Sequence, residues 1–152
     1  MINDKTLKQA IEEFHEEHHD SDICEEYHDK YYKAILYVCL EEVSGDLISL
    51  SNDFAIMVVN NDCLSFYVLD QLGFKLNILY ELILPYKSIS KLKFRKFLIW
   101  NNLKIRFINN MNEKYNDEEY ELKVKFSDKV FGIKKQKENI GILLNSLKPF
   151  HL

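Results

Sequence analysis

The segment His15-Glu16-Glu17-His18-His19 has the spacing H-E-x-x-H. On a helix, His15 and His19 lie at i and i+4 on one face and can hold a zinc ion, and Glu16 can act as general base on a metal-bound water. That chemistry would be metal-dependent hydrolysis. It needs a third ligand, and Glu25, Glu26 or His28 can supply one only if the following helix folds back. No G-x-x-H continuation follows, because Asp20-Ser21-Asp22 comes next. A solvated acidic helix face accounts for the same residues, as does simple metal binding by His15, His19 and His28.

Glu121-Leu122-Lys123 is a second candidate. On a strand it puts a carboxylate and an ammonium on one side. Metal-dependent nucleases use such a pair with a further carboxylate from a preceding strand, and Asp117 is too close in sequence for that arrangement. An exposed strand face shows the same alternation. All five histidines (15, 18, 19, 28 and 151) lie near the ends of the chain, and no Ser/His/Asp or Cys/His set is apparent. There is no G-x-G-x-x-G, no G-x-x-x-x-G-K-[ST], and the whole chain has four glycines. A nucleotide-cradling loop is not expected, nor is any cofactor.

The third candidate is a basic hairpin at 88–108. With Asn101-Asn102 as its turn, Trp100 opposes Leu103 and Leu98 opposes Ile105. One face then carries Leu92, Phe94, Leu98, Trp100, Leu103, Ile105 and Phe107 and reads as core, apart from Lys96. The other carries Lys91, Lys93, Arg95, Lys104 and Arg106, with Phe97 and Ile99 among them. No acid occurs from 82 to 112. Such a face can bind phosphates of lipid or nucleic acid. It can also be a solvated strand face that resists edge-to-edge aggregation. A third possibility is docking of the chain's own acidic helices, or those of a second copy.

The elements around these candidates follow from periodicity. Leu7, Ala10, Ile11, Phe14 and His18 keep helical spacing, with Asn3 or Asp4 as cap. Ser21 or Asp22 can cap a second helix bearing Ile23, Tyr27, Tyr31 and Ala34. From about residue 35 the period becomes two. Strands are expected at 35–42, 47–51, 54–59, 63–69 and 82–85, with turns at 44–46, 52–53 and 60–62. The stretch 75–81 is strand or helix. Pro85 points to an edge position, since it cannot donate to a ladder. After the hairpin come a polar loop at 109–118, a strand at 119–127 and a helix at 133–147 that buries Ile133, Ile140, Leu143, Leu144 and Leu147 and stops at Pro149.

The chain has 152 residues, 20 Lys plus Arg against 24 Asp plus Glu, and 20 aromatic residues, so one ordered domain is the expectation and disorder is not. The net charge of −4 hides an asymmetry. Residues 1–76 hold 5 basic and 16 acidic residues, and residues 77–152 hold 15 basic and 8 acidic. A general polyanion coat is excluded; a local basic face is not. Lys outnumbers Arg by 18 to 2, with abundant Ile and Asn, as A+T-rich coding in a low-G+C bacterium favours. Cys24, Cys39 and Cys63 are odd in number and form no CxxC pair, which reads as reduced thiols, with Cys39 and Cys63 in the core. No apolar run reaches the ~20 residues of a bilayer span, and residues 2–8 are polar, so a cytoplasmic protein is expected.

Leu84-Pro85-Tyr86-Lys87-Ser88-Ile89-Ser90-Lys91-Leu92-Lys93-Phe94 resembles the "I-P-Y-x-x-I-x-x-V" segment that leads into a β-hairpin in bacterial pleckstrin-homology-like (PH-like) domains. Gly45-Asp46-Leu47-Ile48-Ser49-Leu50-Ser51-Asn52-Asp53-Phe54 resembles their "G-x-L-x-L-T-x-x-R-L" segment, with Asn52-Asp53-Phe54 where an Arg is common. Residues 135–147 are similar to the family's C-terminal helix. The resemblance covers about 34–147. It implies a mainly β fold, a seven-stranded half-open barrel capped by a C-terminal helix. Here two acidic N-terminal helices would precede it, giving a 1–33 extension and a 34–152 barrel unit. It also implies binding or oligomerisation rather than catalysis. The leading expectation is therefore a non-enzymatic interaction module with a protein partner or a second copy of itself. A hydrolase built on 15–19 and a binder of anionic lipid or nucleic acid through 88–108 are the alternatives.

Overall fold

The computed structural model describes residues 2–17, 32–44, 51–70, 76–108 and 119–150. Its elements are α1 (Asp4–Glu17), β1 (Ala34–Ser44), β2 (Ser51–Val59), β3 (Cys63–Leu69), β4 (Ile78–Pro85), a 3-10 turn (Tyr86–Ser88), β5 (Ile89–Phe97), β6 (Trp100–Ile108), β7 (Glu119–Ser127), α2 (Gln136–Leu147) and a closing 3-10 turn (Lys148–Phe150). The strands form one antiparallel sheet in the order β4-β3-β2-β1-β7-β6-β5. Among the described residues, no helix is long and apolar enough to cross a membrane.

The connectivity forces the sheet to roll. β4 and β5 are its two edges, yet only Tyr86–Ser88 lies between them. Four residue steps span at most about 14 Å. Seven flat strands would hold the edges about 29 Å apart. The sheet therefore curls until both edges share one core. Leu84 of β4 and Leu92 of β5 are in the same buried cluster as Leu36, Met57, Phe66, Ile105 and Val124. Ile140, Leu143 and Leu147 of α2 complete that cluster.

β1 pairs with β2 from Ala34 onward, but with β7 only from Cys39. The β7-side backbone of Ile35 and Tyr37 is thus left to other partners, and two buried residues of α2 provide them. Gln136 Oε1 accepts from the Tyr37 N–H at 3.1 Å, and Gln136 Nε2 donates to the carbonyls of Tyr37 (2.9 Å) and Ser127 (3.2 Å). Asn139 Nδ2 donates to the Ile35 carbonyl at 2.9 Å. The helix closes the splayed sheet by backbone pairing as well as by its apolar stripe.

The outer face of β2 and β3 is covered too. Leu7, Ala10, Ile11 and Phe14 of α1 pack on Ile56, Val58, Tyr67 and Leu69. This explains why every residue of β3 is buried: a strand covered on both faces reads as a continuous apolar run. Asn3 caps α1. Its Oδ1 accepts from the Thr6 N–H and its own N–H donates to Thr6 Oγ1, both at 2.9 Å. Asp4 Oδ2 accepts from the Lys134 N–H at 3.0 Å, which ties the helix start to the loop after β7. In that loop Gly132 has φ +87°, and a Cβ there would meet the Ile2 carbonyl oxygen.

Several sequence expectations need correction. β2 runs unbroken through Asn52-Asp53, so there is no turn there. Of the stretch 75–81, residues 78–81 join 82–85 in one strand, β4, and residue 75 lies outside the described residues. Pro85 sits at the end of that edge strand, as expected. The hairpin turn is Leu98-Ile99, and Asn101-Asn102 lies inside β6. The C-terminal helix starts at Gln136, and Ile133 packs in the α1 cluster instead of on the helix stripe. Cys63 is buried, whereas Cys39 is only partly so. Burial raises both thiols above their ordinary range, which favours the protonated form. Ala34, expected on the second helix, opens β1, and Ser51 opens β2; residues 21–31 of that helix, 47–50, the loop at 109–118, Cys24, His18, His19 and His28 fall outside the described residues.

Candidate functional site

β5, β6 and β7 alternate apolar and polar residues, so the rolled core fixes which side chains face out. Cross-strand partners share a face, and the observed pairs are Lys91 with Arg106, Lys93 with Lys104, Arg95 with Asn102, and Phe97 with Trp100. The five cations foreseen from sequence and Phe97 are therefore brought together on one outer face. β7 extends it, since Lys104 pairs with Lys123 and Asn102 with Lys125. Sequence reading missed Lys123 and Lys125 as members of this face. The signal was their alternation within 119–127.

Few acids temper this surface. Lys104 pairs with Glu121 at 3.2 Å and Lys125 with Glu41 at 3.7 Å. Lys91, Lys93, Arg95 and Arg106 make no ion pair with another described residue. The Lys125 ammonium also lies 5.2 Å from the centre of the Trp100 ring, in cation–π range.

The hairpin tip is apolar and exposed. Phe97, Leu98, Ile99 and Trp100 are 72%, 75%, 41% and 45% accessible. Sequence reading placed Leu98 and Trp100 in the core; both lie at the surface. Leu98 has φ +57°. A two-residue hairpin turn needs a left-handed residue, which Gly or Asn supplies cheaply and Leu does not.

The turn is nonetheless firmly held. Asn101 and Lys96 oppose each other on the inner side of the tip. Buried Asn101 donates through Nδ2 to Asp128 Oδ1 at 2.8 Å and to the Phe126 carbonyl at 3.2 Å. Lys96 Nζ lies 2.8 Å from Asp128 Oδ2, and the Asp128 N–H donates to the Ile99 carbonyl at 2.8 Å. The hydrogen bonds from Lys96 and Asn101 hold the Asp128 carboxyl below the usual carboxylate range. The exposed apolar side chains thus project from a pinned scaffold.

The other candidates lie elsewhere. His15 Nε2 is 2.9 Å from Tyr67 Oη, and Tyr67 Oη donates to Glu81 at 3.2 Å. This places His15 at the seam between α1 and the sheet, while Glu16 is exposed. Among the described residues no group of three or more His, Cys, Asp or Glu is placed to hold a metal. Glu121 and Lys123 share the outer face of β7, where Glu121 meets Lys104.

No protein-family model matches the chain, and no curated protein matches it at a significant level.

Proposed function

We propose that the chain is a non-enzymatic interaction module of the PH-like class, working in the cytoplasm through the outer face of β5–β7 and the adjoining hairpin tip. The strand order and the helix packed on the inner cluster support the PH-like reading. The observation that carries the functional reading is the meeting, on one hairpin, of a row of cations with four exposed large apolar side chains. Solvated strand faces carry charge, but they do not add Phe, Leu, Ile and Trp at one point. Contact with a protein partner or a second copy is the first form of this reading. An anionic lipid or nucleic acid is the second, favoured by Lys91, Lys93 and Arg95, which make no ion pair with another described residue.

The test is a pair of double variants, Lys93→Glu/Arg95→Glu and Phe97→Ser/Leu98→Ser. All four residues are exposed, so both proteins should fold as the parent does. Sedimentation velocity over a concentration series, retention on duplex DNA and vesicle binding are measured for each. The reading predicts at least one association in the parent that both variants weaken. An unchanged monomer in all three assays, for parent and variants alike, would sink it.

A further inference from the structure

We infer that the β5–β6 hairpin is a membrane-docking element whose Leu98 tip enters the interface of an anionic phospholipid bilayer while the cations behind it meet the headgroups. The inference rests on the interaction-module reading and names its partner.

The first argument is the order of side chains along the hairpin. Within the hairpin the exposed large apolar residues occupy only the tip, Phe97 to Trp100. The cations follow behind. At ~3.3 Å per residue, Arg95 lies about 7 Å from Phe97 along the strand and Lys93 about 13 Å. An amphipathic element at a membrane buries its apolar part about 5–10 Å into the boundary between headgroups and acyl chains. Arg95 and Lys125 then stand at headgroup level. Lys93 and Lys104 stand just above it, within the ~8 Å over which charge is felt at physiological salt.

The chemistry of the tip favours lipid over nucleic acid. Leu98 and Ile99 are aliphatic and cannot stack on bases, so they add nothing to a nucleic-acid site. Acyl chains accept them without specific geometry. Trp100 has the amphipathic ring that concentrates at membrane–water interfaces. The chain keeps Leu98 at φ +57°, where a glycine would remove the strain together with the apolar side chain.

The charge layout orients the molecule. α1 carries exposed Glu12, Glu13, Glu16 and Glu17 and covers β2 and β3. Two strands, β1 and β7, separate that region from β6 in the sheet. An anionic surface attracts one flank and repels the other, although the net charge is only −4. The pinning of the tip through Asp128 lowers the ordering cost of docking.

Trp100 is the only tryptophan of the chain and sits at the tip, so the full-length protein reports its own insertion. Vesicles of phosphatidylcholine, with and without phosphatidylglycerol, are titrated into it. Binding to the anionic vesicles is expected, with a blue shift of Trp100 emission and quenching by lipids brominated on the acyl chain. High salt should weaken it. Leu98→Ser/Phe97→Ser should lower the affinity by about 10-fold or more, and Lys93→Glu/Arg95→Glu by about 100-fold. Circular dichroism and melting should show both variants folded. Failure to bind anionic vesicles at low salt overturns the inference, as does binding without a Trp100 shift. If vesicles fail but the variants abolish self-association or DNA retention, the partner is a second copy or a nucleic acid and the interaction-module reading stands. If every association fails, both fall.

Discussion

Lys96 Nζ lies 2.8 Å from Asp128 Oδ2, and this ion pair, with Asn101 on the other carboxylate oxygen, fastens the β5–β6 tip to the segment after β7. Asp128 is largely buried and Lys96 is half exposed. The carboxylate therefore has protein partners where water would otherwise solvate it. Asp128→Ala should cost about 1–3 kcal/mol in urea unfolding, through the loss of the shortest of the Asn101 amide's hydrogen bonds and of the Lys96 ion pair.

The same carboxylate gives a pH dependence with a definite sign. Its folded pKa is below the ordinary value near 3.8. Its contribution is fully present above that value and is lost as pH falls through the lower, folded pKa. Parent and Asp128→Asn should therefore converge in stability as the pH falls below the ordinary carboxylate value and through the lower, folded one. A gap between their melting temperatures that widens as the pH falls below that ordinary value would contradict the assignment.

Leu98→Gly separates strain from binding. It relieves a left-handed leucine and removes little buried surface, so melting should be unchanged or raised by up to about 1 kcal/mol. Vesicle affinity should fall in the same protein. A large loss of stability would mean that the Leu98 side chain packs against the fold.

Gly132→Ala probes the seating of α1. A Cβ at that position meets the Ile2 carbonyl oxygen, and φ +87° disfavours any side chain. The N-terminal strap must shift, and a loss of about 2 kcal/mol or more is expected by chemical denaturation. Hydrogen exchange should localise the loosening to α1.

Gln136→Leu keeps bulk but leaves the Tyr37 N–H and the Tyr37 and Ser127 carbonyls without their partner. A cost of about 2–4 kcal/mol follows from the unpaired buried groups. Gln136→Glu retains the acceptor for the Tyr37 N–H alone and should recover only part of that loss.

The hairpin shows where sequence reasoning stops. Moving the turn from Asn101-Asn102 to Leu98-Ile99 changes the cross-strand partner of Leu92 from position 111 to Ile105, an even displacement of six. An even slide keeps every side chain that stays in the same strand on its own face, so alternation there cannot choose between the two registers. Turn chemistry favoured the asparagines. The third strand decided otherwise: β7 pairs Trp100 with Ser127 and Leu103 with Val124, which draws Asn101 inside to meet Asp128. The cations foreseen for the outer face kept their places, while Trp100 and Leu98 moved from core to tip.

Local sequence was sufficient wherever one periodicity met one environment. It determined α1 through Leu7, Ala10, Ile11 and Phe14, β3 through an apolar run interrupted only by Ser65, the edge position of Pro85, and the polarity of the chain from an acidic first half to a basic second. The tertiary structure alone decided which strands are neighbours, how β4 and β5 are drawn together by a three-residue turn, and where α1 lies. It also assembled the functional surface, because Lys123 and Lys125 join Lys93, Lys104 and Arg95 only across a sheet whose order is set by long-range pairing. Side-chain alternation is a property of two or three consecutive residues; register and neighbour choice come from burying both faces of a rolled sheet at once.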